Sequence, residues 1–272
     1  MPKKNQPPPT IPQDCYFVDT HCHLDMSAFA EDFDQILLNA SKNNVRKIIS
    51  IGIDLKSSKA AIEIARAQKH IFATIGIHPH DVDNASDSTY PSLIKLFSQY
   101  SDHIAGFGEI GLDYFKNYSD PANQRKHFTK QLSLAHELKL PVIIHNRQAD
   151  DDTLKILREA KPFTYGGILH CFSGDYEFAR KIMDLGLLIS IPGVVTFKNA
   201  AILHNVVEKV PLTSLVLETD GPFLSPQPFR GKRNEPAYIP YIADKIAQIQ
   251  GISIEQVAKQ TTTNAENLFK IL

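Results

Sequence analysis

Two histidines one residue apart, His21 and His23, follow a short apolar run, Tyr16-Phe17-Val18. Side chains two apart on an extended strand project to the same face, so the pair can offer two imidazole nitrogens to one metal ion. Cys22 then points the other way, into a helix layer, as a small buried thiol rather than a ligand. Four more polar residues fall where apolar runs end: Glu109, His145, His170 and Asp220. Imidazole and carboxylate are ligand types that divalent metals take, and burying such groups without a ligand is costly. The set suffices for two metals. A shared carboxylate suits a pair of ions about 3.5–4 Å apart, where a bridging hydroxide is generated at neutral pH. Glu109 is the natural bridge, with His21, His23 and Asp220 completing one site and His145 and His170 the other. Asp220 is also placed to take a proton from the attacking water, which makes Glu109 and Asp220 the catalytic candidates.

Placing these residues together is the work of the elements around them. Eight apolar runs without polar alternation read as strands buried on both faces: residues 16–18, 47–52, 71–76, 104–108, 141–144, 167–169, 187–190 and 215–217. Helical patterns lie between them. Phe128, Leu132, Ala135 and Leu138 trace one face, and Phe178, Ile182 and Leu185 another, with Gly186 placed as a C′ residue. Ser253 and Gln256 have capping-box spacing at the start of the last helix. The expected fold is therefore α/β, a (β/α)8 TIM barrel with an extra C-terminal helix. A doubly wound open sheet would need a nucleotide fingerprint after its first strand. Gly106-Phe107-Gly108-Glu109-Ile110-Gly111 matches G-x-G-x-x-G, but it follows the fourth run, and Glu109 would set a negative charge beside a pyrophosphate. Those glycines instead let neighbours crowd the strand end.

The chain has 272 residues, 43% hydrophobic and 22% charged, with a formal net charge of −1. That length suits one barrel domain over residues 15–272, behind a short, flexible, proline-stiffened tail over residues 1–14. The tail has lysines but no apolar stretch behind them, so no secretory signal is expected, nor does any run reach membrane-spanning length. Three scattered cysteines, Cys15, Cys22 and Cys171, make no disulfide framework, and the expected compartment is a reducing cytoplasm. Near-neutral charge excludes a protein that coats nucleic acid, so an anionic partner has to be met by a local basic cluster. No helical face demands a partner, and a monomer is expected.

The motifs resemble the TatD-type deoxyribonucleases, a branch of the amidohydrolase-like TIM barrels. The stretches that carry the likeness are Asp19-Thr20-His21-Cys22-His23-Leu24-Asp25, Ile75-Gly76-Ile77-His78-Pro79-His80, Gly108-Glu109-Ile110-Gly111-Leu112-Asp113-Tyr114, residues 141–147, residues 170–174, Glu218-Thr219-Asp220-Gly221-Pro222-Phe223-Leu224 and Arg233-Asn234-Glu235-Pro236. The resemblance supports the same metal ligands and implies a metal-dependent nuclease, typically a Mg²⁺-dependent exonuclease on DNA ends, and an all-carboxylate bridge admits Mg²⁺ and Mn²⁺ beside Zn²⁺. That family usually has Ala where this chain has Gly221, which leaves Asp220 in place and predicts a looser backbone beside it.

For a DNA substrate, Arg230, Lys232 and Arg233 in the loop after strand eight are the candidate phosphate clamp, with a solvated basic loop as the alternative. Arg147 is read either toward phosphate or in an outward salt bridge, and His78 as a substrate contact ahead of His80. Asp25 is a candidate helix cap, and Asp113 a candidate for orienting a ligand. His70, His103, His127, His136 and His204 read as surface residues. Rival readings are other ester or amide hydrolysis on the same barrel, including a tRNA ester, deamination, and non-catalytic nucleic-acid binding. A deaminase of this architecture would carry H-x-x-E beside a strand-five histidine, and dihydroorotase-like sites bridge their metals with a carboxylated lysine where this chain has Glu109.

Overall fold

Apolar strands that bury both faces need helices on one side and a filled interior on the other, and the chain meets both needs with a barrel. The computed structural model describes residues 8–271. The strands are β1 (Phe17–Cys22), β2 (Val45–Ser50), β3 (Ile71–Ile75), β4 (Ile104–Asp113), β5 (Val142–Arg147), β6 (Gly167–Leu169), β7 (Leu188–Ile191) and β8 (Leu215–Leu217), paired in parallel in chain order. The helices are α1 (Phe33–Lys42), α2 (Leu55–Ala67), α3 (Thr89–Tyr100), α4 (Pro121–Glu137), α5 (Asp150–Ala160), α6 (Tyr176–Met183), α7 (Ala201–Lys209), α8 (Ile239–Gln250) and α9 (Ile254–Phe269). The loop after β8 closes onto β1 through a parallel bridge between Cys22 and Gly221.

The core divides as a barrel requires. A large cluster joins the outer faces of the strands to the helices and includes Phe17, Phe107 and Phe128. A smaller one gathers Val18, Ile49, Ala105, Ile143, Ile168 and Val216 from the strands with Phe269 and Ile271 from the C-terminal segment. The extra helix α9 thus sends its end into the barrel base. Its start carries the capping box, with Ser253 Oγ accepting from Gln256 N at 3.1 Å and Gln256 Oε1 accepting from Ser253 N at 2.9 Å. Lys47 pairs with Glu266 at 2.5 Å and pins that helix to β2.

Several sequence expectations need correction. β4 does not end at residue 108 but continues through Asp113, so Glu109 lies within the strand. Gly111 makes this extension feasible: with φ at 142°, a Cβ there would lie 2.0 Å from the His145 carbonyl oxygen. The continuous strand also leaves no helix opening at Gly111, as a nucleotide-binding turn would need. Helix α6 stops at Met183, short of Leu185, and Gly186 (φ 81°) follows two residues after the cap Asp184. The helix after β1 starts at Phe33 with Asp32 at its N-cap, so Asp25 caps nothing. Of the expected tail, residues 1–7 lie outside the described residues. Residues 8–14 form no helix or strand, and Ile11 packs against the outer cluster.

Candidate metal centre

His21 and His23 share the barrel mouth although Val18 already faces the interior, three residues before His21. Strict alternation would forbid this. The register shift between Asp19 and Cys22 resolves it by rephasing the strand, and Cys22 falls on the helix side. Asp19, wholly buried, fixes the phase: its carboxylate accepts from His21 N (3.2 Å), Thr219 N (2.9 Å) and Thr219 Oγ1 (2.5 Å). Burial, only partly offset by these bonds, pushes its carboxyl up to about 7.

Glu109 stands at the centre, 3% exposed. Its Oε2 faces His21 Nε2 at 3.4 Å and His23 Nε2 at 3.9 Å, while its Oε1 faces His145 Nδ1 at 2.7 Å and His170 Nε2 at 2.8 Å. Asp220 Oδ1 joins the first group, 3.4 Å from His23 Nε2 and 3.7 Å from His21 Nε2. The rings of His21 and His170 stack at 3.9 Å between centroids, so the two groups abut. Asp220 has a left-handed φ of 57°, a conformation Asp tolerates better than most residues. Its backbone is held by Asp220 N donating to His21 O at 2.8 Å.

The expected looseness at Gly221 is absent. Its carbonyl accepts from His23 N at 2.8 Å, its N–H donates to Thr219 Oγ1 at 3.2 Å, and a Cβ would lie 3.0 Å from Cys22 Sγ. The small residue closes the barrel tightly here.

The donor set fits divalent cations. Nε2 of His21 and of His23 are 3.3 Å apart, and Nδ1 of both rings is buried without a hydrogen-bond partner. His145 has a carboxylate at each ring nitrogen, Glu109 at Nδ1 and Asp113 at Nε2 (3.2 Å). A neutral imidazole has one N–H, so a proton or a metal must serve the other side. Burial opposes the charge on Glu109, yet the facing ring of His170 and the hydrogen bonds from His145 and His170 outweigh it and hold its carboxyl well below the usual range. Burial likewise opposes Asp220, and His23 and His21 hold it down. Positive charge at these positions is what would stabilise the buried carboxylates, and a bound cation would supply it.

Sequence reasoning missed Glu218, two residues before Asp220 and wholly buried. It accepts from Cys171 N at 2.6 Å and Ser190 Oγ at 2.5 Å, and lies 3.5 Å from His170 Nδ1. It missed Asn234 too, whose Nδ2 donates to Thr219 O and Phe223 O and holds the loop after β8. Only their places inside the motif stretches signal them.

The substrate candidates divide. His78 reaches the centre, with Nε2 3.4 Å from Glu109 Oε1, and burial pushes its ring down to about 4, so it is neutral. His80 instead donates to Asp113 Oδ2 at 2.8 Å. Arg147 is exposed and lies over the Phe115 ring at 4.0 Å, and no carboxylate pairs with it among the described residues. Arg230 and Lys232 are exposed, with Arg230 over Phe197 at 4.8 Å. Arg233 is placed otherwise than a free clamp requires: its guanidinium grips Asp32 bidentately at 2.8 and 2.6 Å.

Around the mouth, Phe115, Tyr118 and Phe223 are 50%, 65% and 48% exposed. Tyr118 meets the His80 ring edge-on at 4.8 Å, and Phe223 meets His23 at 6.1 Å. Of the histidines read as surface residues, His70 and His136 are exposed, while His204 donates to Val195 O at 2.8 Å.

The family described as "TatD related DNase" matches residues 18–270. An uncharacterized metal-dependent hydrolase of Bacillus subtilis, YabD, is 41% identical over 255 residues, covering 93% of this chain and 98% of the relative. A Salmonella typhimurium protein named 3'-5' ssDNA/RNA exonuclease TatD is 34% identical over 93% of this chain and 99% of its own. The crystal structure of YJJV, a TatD homolog from Escherichia coli, superposes with a TM-score of 0.90 at 29% identity, covering 94% of this chain and 98% of that one.

Proposed function

Because the chain belongs to the TatD-related DNase family and is a metal-dependent hydrolase, we propose that it cleaves phosphodiester bonds in DNA from an end, using two divalent cations held by His21, His23, Glu109, His145, His170 and Asp220. The observation that carries this reading is the division of Glu109, one oxygen toward His21 and His23 and the other toward His145 and His170. Mg²⁺, Mn²⁺ or Zn²⁺ bound there would supply Lewis acidity, lowering the pKa of water and neutralising charge on both the attacking and leaving oxygens.

The chain's own groups do the rest. Asp220, ionised at neutral pH and at the mouth side of the centre, accepts the proton of the attacking water at a carboxylate oxygen. Neutral His78 offers a ring N–H to a phosphate oxygen beside Glu109. Arg147, Arg230 and Lys232 take the flanking phosphates, and Arg233 holds the loop that carries two of them. The exposed rings of Phe115, Tyr118 and Phe223 suit stacking with unpaired bases. No described helix is long and apolar enough to cross a membrane. With three free cysteines, we place the protein in a reducing cytoplasm, acting as a monomer.

End-labelled single- and double-stranded DNA, incubated with purified protein and each of the three metals, tests this. Stepwise shortening that is lost in His21→Ala and Glu109→Ala is expected. Equal cleavage by those variants would assign the activity to a contaminant, and hydrolysis of an aminoacyl-tRNA ester with DNA left intact would move the substrate.

A further inference from the structure

Asp113, the last residue of β4, is wholly buried, and both of its oxygens are engaged. On one side, Oδ2 accepts from His145 Nε2 at 3.2 Å and from His80 Nε2 at 2.8 Å. On the other, Oδ1 accepts the backbone N–H of Phe115 at 3.0 Å and of Lys116 at 2.9 Å. One carboxylate therefore stands behind a ring of the metal centre and also folds the turn that carries Phe115, Lys116 and Tyr118. That turn is closed from the β5 side, where Tyr114 N donates to Arg147 O at 2.9 Å and the Arg147 guanidinium covers Phe115.

We propose that Asp113 is a positioning residue coupling the His145 half of the metal centre to the nucleic-acid rim on the β4–α4 loop. This rests on the two-cation reading above. An anionic acceptor at Nε2 fixes the proton on that nitrogen and leaves the Nδ1 lone pair facing Glu109, and it makes the ring a stronger ligand. Nδ1 of His21 and of His23 has no such partner. Loss of the Asp113 charge therefore falls on one cation and spares the other. The remaining oxygen acts separately, as a turn former that presents the rim residues.

Asp113→Asn separates the two roles. It keeps an oxygen for Phe115 N and Lys116 N, while its amide nitrogen cannot accept from His145. Asp113→Ala removes both functions, with Asp113→Val in its place if the alanine variant does not fold. Chelator-treated proteins are titrated with Mn²⁺ by calorimetry. Binding of a phosphorothioate-linked single-stranded oligonucleotide is followed by fluorescence anisotropy in chelator.

Wild type is expected to take two equivalents. In Asp113→Asn one equivalent weakens by about 10–100-fold, the other is unchanged, and oligonucleotide affinity equals wild type. The alanine variant shows the same cation defect and several-fold weaker oligonucleotide binding. Unchanged Mn²⁺ binding in Asp113→Asn, equal weakening of both equivalents, or wild-type oligonucleotide binding in the alanine variant overturns the coupling alone. A wild type that takes up no Mn²⁺ sinks the two-cation reading and the coupling with it.

Discussion

Glu109 and His145 meet at 2.7 Å between Oε1 and Nδ1, while Asp113 lies 3.2 Å from the opposite nitrogen of the same ring. A neutral imidazole cannot donate to both carboxylates. Substituting Glu109→Gln leaves only one oxygen where two faces need one each, so metal content is expected to drop by at least one equivalent per chain. Elemental analysis of purified variants measures this, and unchanged content would remove Glu109 from the bridge.

Arg233 is expected to act through stability rather than phosphate binding, because its guanidinium is committed to Asp32. Arg233→Ala and Asp32→Asn should lower stability alike and only slightly, as solvent-screened surface pairs do, with similar KM values for DNA. Arg230→Ala and Lys232→Ala should raise KM at constant metal content. If Arg233→Ala raises KM and Asp32→Asn does not, the guanidinium does meet phosphate.

The same pair predicts a pH dependence. Arg233 beside Asp32 holds that carboxyl below its ordinary 3.8. A depressed folded pKa means the contribution is present above pH 3.8 and is lost as pH falls through the lower folded value. The stability difference between wild type and Asp32→Asn, measured by denaturant melts, should therefore persist at neutral pH and shrink in that acid window. A difference that grows on acidification contradicts the pairing.

Gly111→Ala should be severe. Left-handed φ and the collision with the His145 carbonyl both oppose a Cβ, and such strain costs on the order of 1–3 kcal/mol before the clash is added. Denaturation midpoints and metal content should fall together, since β5 has to move. A stable Gly111→Ala protein with full metal content would show that β4 and β5 can part without disturbing His145.

Phe115→Ala and Tyr118→Ala should weaken single-stranded oligonucleotide binding, by about 1–3 kcal/mol for each base that loses its stacking partner. Metal content should stay at the wild-type level. Equal affinity for both variants would leave the exposed rings without a part in substrate binding.

How much of this was legible in the sequence follows from how local each feature is. The strands were, because uninterrupted apolar runs have few other uses, and a barrel in chain order follows from their alternation with helices. The histidines and carboxylates gathered at the mouth stood out as polar residues closing apolar runs. The length of β4 was hidden by its glycines, which read as a strand ending but serve close approach of β5. Asp32 and Arg233 are 201 residues apart, and no spacing rule joins them. Glu218 and Asp19 escaped for a related reason: a buried carboxylate beside a conspicuous ligand has a role only through partners on other strands. The pairing of Arg233 with Asp32 was not legible because charge runs reveal composition and not partners.

The central claim is that DNA cleavage depends on cations held at Glu109. Its most direct measurement is the cleavage rate of end-labelled DNA by protein stripped with a chelator and then titrated with Mn²⁺, for wild type and Glu109→Gln in parallel. The expected result is no cleavage after stripping, recovery in wild type that levels off at two equivalents, and no recovery in the variant at that stoichiometry. Cleavage by the stripped protein, or full recovery in Glu109→Gln, would contradict it.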